Sequence, residues 1–201
     1  MIIGIDFDNT LIRYDGLFHK VALERGHIPA TLPQEKNAVR DYLREQGKEE
    51  VWTAMQGEVY GRRILEADPF PGMLEVVSGL KTIATALYII SHKTKRPYLG
   101  PPYDLHAAAR SWLSAKGFFD PLVLGWNSSH VFFEETKEAK VQRIISLGCT
   151  HYIDDLPEIL EMVPETIVKL HFCPGTTVPD SRWASLPAWE MLPSLLKNLV
   201  C

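Results

Sequence analysis

Cysteine is scarce in this chain. Three occur in 201 residues, Cys149, Cys173 and Cys201, and no two are spaced as C-x-x-C. An odd, scattered set builds neither a disulfide framework nor a thiolate zinc site, so a reducing cytoplasm is the expected compartment. Long apolar runs are missing as well. The run from Ala84 to Ile90 is far short of the roughly 20 residues a membrane span needs. The opening residues carry two aspartates instead of a basic segment leading into an apolar one, so no secretory leader and no membrane partner are expected. There is no excess of positive charge either. Lys plus Arg number 21 against 25 Asp plus Glu, a formal net charge of −4, which excludes the global basic field of a non-specific nucleic-acid binder. Internal repeats and low-complexity segments are also wanting. What remains, 46% hydrophobic and 23% charged residues, suffices for one ordinary soluble domain with room for a small insert.

The apolar pattern alternates between short β-rich runs and amphipathic stretches, which predicts an α/β fold with a parallel sheet. Strands are expected at Met1 to Ile5, Ala86 to Ile90, Pro121 to Leu124, Thr150 to Ile153 and Ile167 to Phe172. Their near-continuous apolar character suits strands covered on both faces. Between them, helices are expected at Met73 to Ile83, around Leu105 to Trp112 with Gly117 behind it, and from Lys137 to Leu147 with Gly148 in the stopping position. One stretch breaks the alternation: between the first strand and Pro69 only helical patterns occur, at Gly16 to Arg25, at Val39, Tyr42 and Leu43, and at Trp52, Met55 and Val59.

Chemistry concentrates at the predicted strand ends. Asp6-Phe7-Asp8-Asn9-Thr10 follows the apolar strand Ile2 to Ile5 directly. Open parallel sheets bind ligands outside the carboxyl ends of their strands. Two acids placed there need a cation or a proton between them, and a hard divalent ion with oxygen ligands meets that need. An aspartate-rich turn is the plainer reading. Ser91 follows its strand at once and can donate to a phosphoryl oxygen, or serve as a turn residue. Lys137 opens a helix, where its charge opposes the helix dipole and an anionic partner would offset that. Asp154-Asp155 ends another strand, as ligands or as a helix cap.

In this order and placement the residues resemble the four motifs of the haloacid dehalogenase-like superfamily. Asp6 to Thr10 matches the first motif, Ser91 the second, Lys137 the third (with Lys140 as a stand-in), and Asp154-Asp155 the paired-acid form of the fourth. The resemblance covers Met1 to about Phe172. It implies a doubly wound, Rossmann-like parallel sheet and a magnesium-dependent phosphatase. In that reading Asp6 is the nucleophile that forms an aspartyl-phosphate, and Asp8 is the general acid and base. Thr10, Ser91 and Lys137 hold the phosphoryl group. Magnesium is held by Asp6, by Asp8 through its main-chain carbonyl, and by Asp155, with Asp154 turned toward the lysine or a water. Asn9 stands where glycine is commonest, in a turn that Asn tolerates. Family dehalogenases lack an acid at the Asp8 position, so phosphoryl chemistry fits better than dehalogenation.

The helical insert falls where relatives carry a cap over the site. The expected domains are therefore a core of 1–13 and 70–201 and a cap of 14–69. Trp52, Met55 and Val59 read as helix packing more than as a pocket lining, while Tyr60, Arg62 and Arg63 either reach a ligand or face water. His151 reads as structural. The basic run His92-Lys93-Thr94-Lys95-Arg96 either binds a second anionic group of the substrate or is solvated; together with the helix bearing Trp112 and the paired acids Asp154-Asp155 it loosely resembles nucleotide and polynucleotide-end phosphatases of the superfamily. A phosphorylated small molecule is the leading substrate class, with a nucleotide or a phosphoprotein as alternatives. Phosphotransfer to another acceptor and a non-catalytic phosphate-binding scaffold are the rival functions.

Overall fold

The computed structural model describes residues 1–175 and 182–199; Cys201 lies outside them. In chain order the elements are β1 (Ile2–Ile5), β2 (Ile12–Arg13), α1 (Asp15–Glu24), α2 (Lys36–Glu45), α3 (Glu49–Gly57), β3 (Asp68–Pro69), α4 (Met73–Leu80) and β4 (Ala86–His92). There follow α5 (Leu105–Ala115), β5 (Val131–Glu134), α6 (Lys137–Ser146), β6 (His151–Asp154), α7 (Pro157–Met162), β7 (Val168–Phe172), β8 (Ala184–Leu186) and α8 (Leu192–Leu199). Six strands form one parallel sheet in the order β5-β4-β1-β6-β7-β8. The chain builds outward from β1 on one side, then crosses and builds outward on the other, so β1 stands at the switch point where such sheets bind ligands.

Sequence explains why these segments pair. Residues 3 to 5 of β1 are fully buried, as a central parallel strand requires. Gly4 is needed there, because a Cβ would stand 2.8 Å from the ring of Tyr152 on the neighbouring strand. Helices α6 and α7 pack on each other and against the sheet over a core of Ile90, Val141, Ile144, Tyr152, Ile159 and Leu160. The second helical layer pairs α4 with α8. Glycines 117 and 148 take left-handed angles (φ 79° and 66°) behind α5 and α6, as their helix-stopping positions predict.

Two expectations need correction. Pro121 to Leu124 is a set of turns, not a strand. Asp120 accepts from the Leu122 amide at 2.8 Å, and Leu122 is 94% exposed. An Asx-type turn next to a proline outcompetes the apolar run; the strand comes ten residues later, as edge strand β5. The second correction concerns the domains. One compact unit comprises 1–12, 69–93 and 117–201, the other 13–68 and 94–116. The helical unit therefore holds α5, which the sequence pattern assigns to the core. The indole of buried Trp112 donates to the Ala67 carbonyl at 2.8 Å. The Cβ positions of Gly57 and Gly61 are crowded by Pro97 and Tyr103, so the segment after β4 packs on a glycine-faced helix turn. Losing the Trp112 ring would cost about 3–5 kcal/mol by the usual cavity penalty.

Within the helical unit, Trp52, Met55 and Val59 are buried. Trp52 stacks on Phe18 at 4.7 Å, and Tyr60 meets the edges of Tyr14 and Phe18. The stripe is packing, and Tyr60 belongs to it. Arg63 pairs with Glu24 and Glu66 at the surface. Cys149 and Cys173 are free, buried thiols, and burial pushes Cys149 up to about 11. No helix among the described residues is long and apolar enough to cross a membrane.

Candidate active site

Strand β1 delivers Asp6 to the carboxyl edge with its amide still in the ladder, donating to the Ile153 carbonyl at 2.9 Å. The chain then turns on itself: the amides of Leu11 and Ile12 donate to the Phe7 carbonyl at 3.0 and 3.2 Å. Asn9 holds the left-handed conformation of that turn (φ 56°), the role its side chain permits. Phe7 anchors the turn edge-on to Phe133 at 5.7 Å. From below, the indole of Trp189 donates to the Thr10 carbonyl at 3.0 Å.

Because β4 and β6 flank β1, Ser91 and Asp154 come up on either side of Asp6. The lysine that joins them is Lys140. Its ammonium lies 2.6 Å from Asp6 Oδ1 and 2.6 Å from Asp154 Oδ2, with the side chain 1% exposed. Lys137, the expected lysine, is corrected by the geometry: it pairs with Glu158 at 2.7 Å, part-exposed at the surface. Both lie on α6, whose start is fixed by Thr136 accepting from the Ala139 amide at 3.1 Å. Side chains on a helix lean back toward its N-terminus. Lys140, a turn further in and on the buried face with Val141 and Ile144, thus reaches the sheet edge, and Lys137 overshoots it.

Carboxylate oxygens of Asp6, Asp154 and Asp155 lie within 4.8 Å of one another, a grouping that could hold a metal ion. All donors are oxygen, and three carboxylates with one ammonium leave a charge deficit of two, which suits a hard divalent cation. Asp154 is also braced, accepting from the Leu156 amide at 2.9 Å. Burial pushes Asp6 up to about 7, with Lys140 opposing and Asp154 adding to the rise. Burial works to lower Lys140, but the two carboxylates outweigh it and the ammonium is favoured.

Two hydroxyls at the site are buried without a hydrogen-bond partner: Thr10 Oγ1 and Ser91 Oγ. Unsatisfied polar atoms are costly, and a phosphoryl group offers the acceptors they lack. Asp8 does not join the acidic group through its carboxylate. Both its oxygens are held by Lys93, at 2.9 and 2.8 Å. Lys93 was expected to bind substrate or face solvent as part of a basic loop. The signal that could have found it is spacing: two residues beyond Ser91 on an extended strand, it falls on the same face. His151 is structural, bonded through Nδ1 to Thr150 Oγ1 at 2.9 Å.

No family model matches the chain. A protein of Oceanobacillus iheyensis named "Putative nucleotidase OB0422" is 27% identical over 182 residues, 85% of each chain. Among solved structures, the "putative HAD-hydrolase YfnB" of Bacillus subtilis, bound to magnesium, matches with a TM-score of 0.61 at 13% identity, over 98% of each chain. A haloacid dehalogenase-type hydrolase of Deinococcus radiodurans with bound phosphate and sodium matches with a TM-score of 0.59 at 15% identity, over 98% of this chain and 95% of that one. The chain has the fold of the haloacid dehalogenase-like hydrolases.

Proposed function

We propose that this chain, with its haloacid dehalogenase-like sheet, is a magnesium-dependent phosphatase that hydrolyses a phosphate monoester through an aspartyl-phosphate on Asp6. The observation that carries the reading is Lys140 bridging Asp6 and Asp154 while the hydroxyls of Thr10 and Ser91 are buried without partners. A buried structural ion pair has no use for orphaned donors beside it; a phosphate cradle does.

The residues divide the work. Thr10 and Ser91 donate to the phosphoryl oxygens, and Lys140 offsets the charge that Asp6 and phosphate bring together. An Asp6 oxygen attacks phosphorus as the bond to the leaving oxygen breaks. Asp8 passes its proton to that oxygen, then takes one from the water that attacks the phosphoenzyme, releasing phosphate and regenerating Asp6. Asp6, Asp154 and Asp155 would hold the cation, with the Asp8 main-chain carbonyl as a further ligand. When bound, the cation supplies charge neutralisation and alignment for in-line attack. A phosphorylated small molecule is the proposed substrate, and the name of the Oceanobacillus relative makes nucleoside monophosphates the first to try.

The test is turnover of p-nitrophenyl phosphate with and without magnesium, comparing the chain with Asp6→Asn. Release of free phosphate that needs magnesium and vanishes in Asp6→Asn is the expected result. Undiminished turnover by Asp6→Asn would overturn the mechanism, and transfer of the phosphoryl group to an added alcohol without free phosphate would make the chain a phosphotransferase.

A further inference from the structure

Within the catalytic unit one strong contact is not used by the mechanism above. Lys93 is 4% exposed, and its ammonium takes both oxygens of Asp8. Lys93 is held independently of Asp8: its amide donates to the Glu134 carbonyl at 2.8 Å, and its ammonium lies 5.6 Å from the centre of the Phe7 ring. Its backbone is thus fixed by edge strand β5 and its ammonium faces the motif turn. The Asp8 side chain is 22% exposed and borders the reacting groups. A short carboxylate with that much freedom has several rotamers, and two bonds from one buried cation select a single direction.

We propose that Lys93 is a positioning residue for Asp8, holding its carboxylate in the orientation from which it activates the attacking water. The proposal rests on Asp8 being the acid–base group of the function proposed above. The direction that Lys93 selects is the one proposed for activating the attacking water, so its effect falls chiefly on breakdown of the phosphoenzyme. Sequence alone leaves this lysine between a second anionic group of the substrate and solvent; the ion pair joins it to Asp8.

The experiment compares Lys93→Gln, Asp8→Asn and the double variant in magnesium, with glycerol 2-phosphate and p-nitrophenyl phosphate as substrates. Steady-state turnover is read together with the rapid-quench burst of nitrophenolate. Lys93→Gln should lower kcat by at least about tenfold, part of the roughly 10²–10⁴-fold that general acid–base help supplies, and should lower KM with it, since slower breakdown of the phosphoenzyme leaves kcat/KM unchanged. The fraction of phosphoenzyme at steady state should rise. In the Asp8→Asn background the same change should cost almost nothing, because the group it positions is gone. Lys93→Arg, whose planar fork also grips a carboxylate with two bonds, should recover much of the lost kcat, and it carries the test if Lys93→Gln does not fold. A loss of equal factor with and without Asp8 would overturn the proposal, as would a rise in KM alone, which would return Lys93 to the substrate. Failure of Lys93→Arg to exceed Lys93→Gln would do the same. Full activity in Asp8→Asn would instead remove the parent reading of the site.

Discussion

Lys140 with Asp6 and Asp154, and Arg63 with Glu24 and Glu66, are each one cation held by two carboxylates. The first lies in the unit that holds the sheet, with side-chain exposures of 1%, 5% and 0%; the second lies in the helical unit, with exposures of 15%, 47% and 38%. Arg63 is largely covered, but Glu24 and Glu66 keep much of their hydration, so the cluster gains only a little Coulomb energy. The Lys140 triad gives up its hydration, and that cost is a poor way to gain stability. A fold that accepts it gains fixed charge in a dry place, where electrostatic stabilisation of a reaction is strongest.

The widest gap between the two clusters should appear in turnover. Lys140→Met should cut kcat by at least about 10²–10³-fold, the scale of losing one preorganised donor. Lys137→Met, one helical turn away and exposed, should stay within about twofold, since its ion pair is a surface one. Equal effects of the two would return the motif role to Lys137. Magnesium comes next. A hundredfold excess over Kd should raise Tm by roughly 5–10 °C, and Asp155→Asn should erase most of that rise, as read by differential scanning fluorimetry with and without chelator.

A smaller effect concerns pH. Burial raises Asp6 from its ordinary 3.8 to about 7, so between these values the folded state holds a proton that the unfolded chain has lost. The stability this group contributes is full below about pH 4 and is lost as pH rises through about 7. In chelator, Asp6→Asn should therefore flatten the decline in stability between pH 4 and 7 and leave the variant the more stable protein at pH 8. A parallel decline in both proteins would show that Asp6 is ionised throughout. The smallest effect belongs to the surface cluster: Glu66→Gln should move Tm by no more than about 2 °C and leave turnover alone. A larger shift would mean that the Arg63 network is buried in practice.

How much of this was legible depended on the range of the interaction that decides each feature. The first motif was readable because strand, turn and acids are contiguous, and even the left-handed Asn9 follows from local sterics. The motif IV acids and Ser91 were readable because strand ends announce themselves. Lys137 and Lys140 differ by one helical turn, and only the distance from the start of α6 to the sheet edge, a non-local quantity, selects between them. The same holds for Thr94–Lys116, whose helix is plain in sequence while its allegiance rests on Trp112 finding the Ala67 carbonyl. Strand β8 has only three residues, too short for any pattern. Pro121 to Leu124 was misread because apolar content alone does not distinguish a strand from a turn that leaves its leucine exposed.

The bond from Trp189 to the Thr10 carbonyl spans 179 residues, and it bears on the order in which the chain acquires its parts. Strand β1 emerges before its partners during synthesis: its neighbours β4 and β6 follow some 80 and 150 residues later, and the brace beneath its turn follows them both. A nascent chain stopped short of Trp189 would already hold Asp6, Asp8, Ser91, Lys140 and both acids of the fourth motif, with the turn that bears Thr10 unsupported. Competence then waits on Trp189, and a ribosome-stalled series ending before and after that residue, assayed on p-nitrophenyl phosphate, should show turnover only once the tryptophan is free to fold.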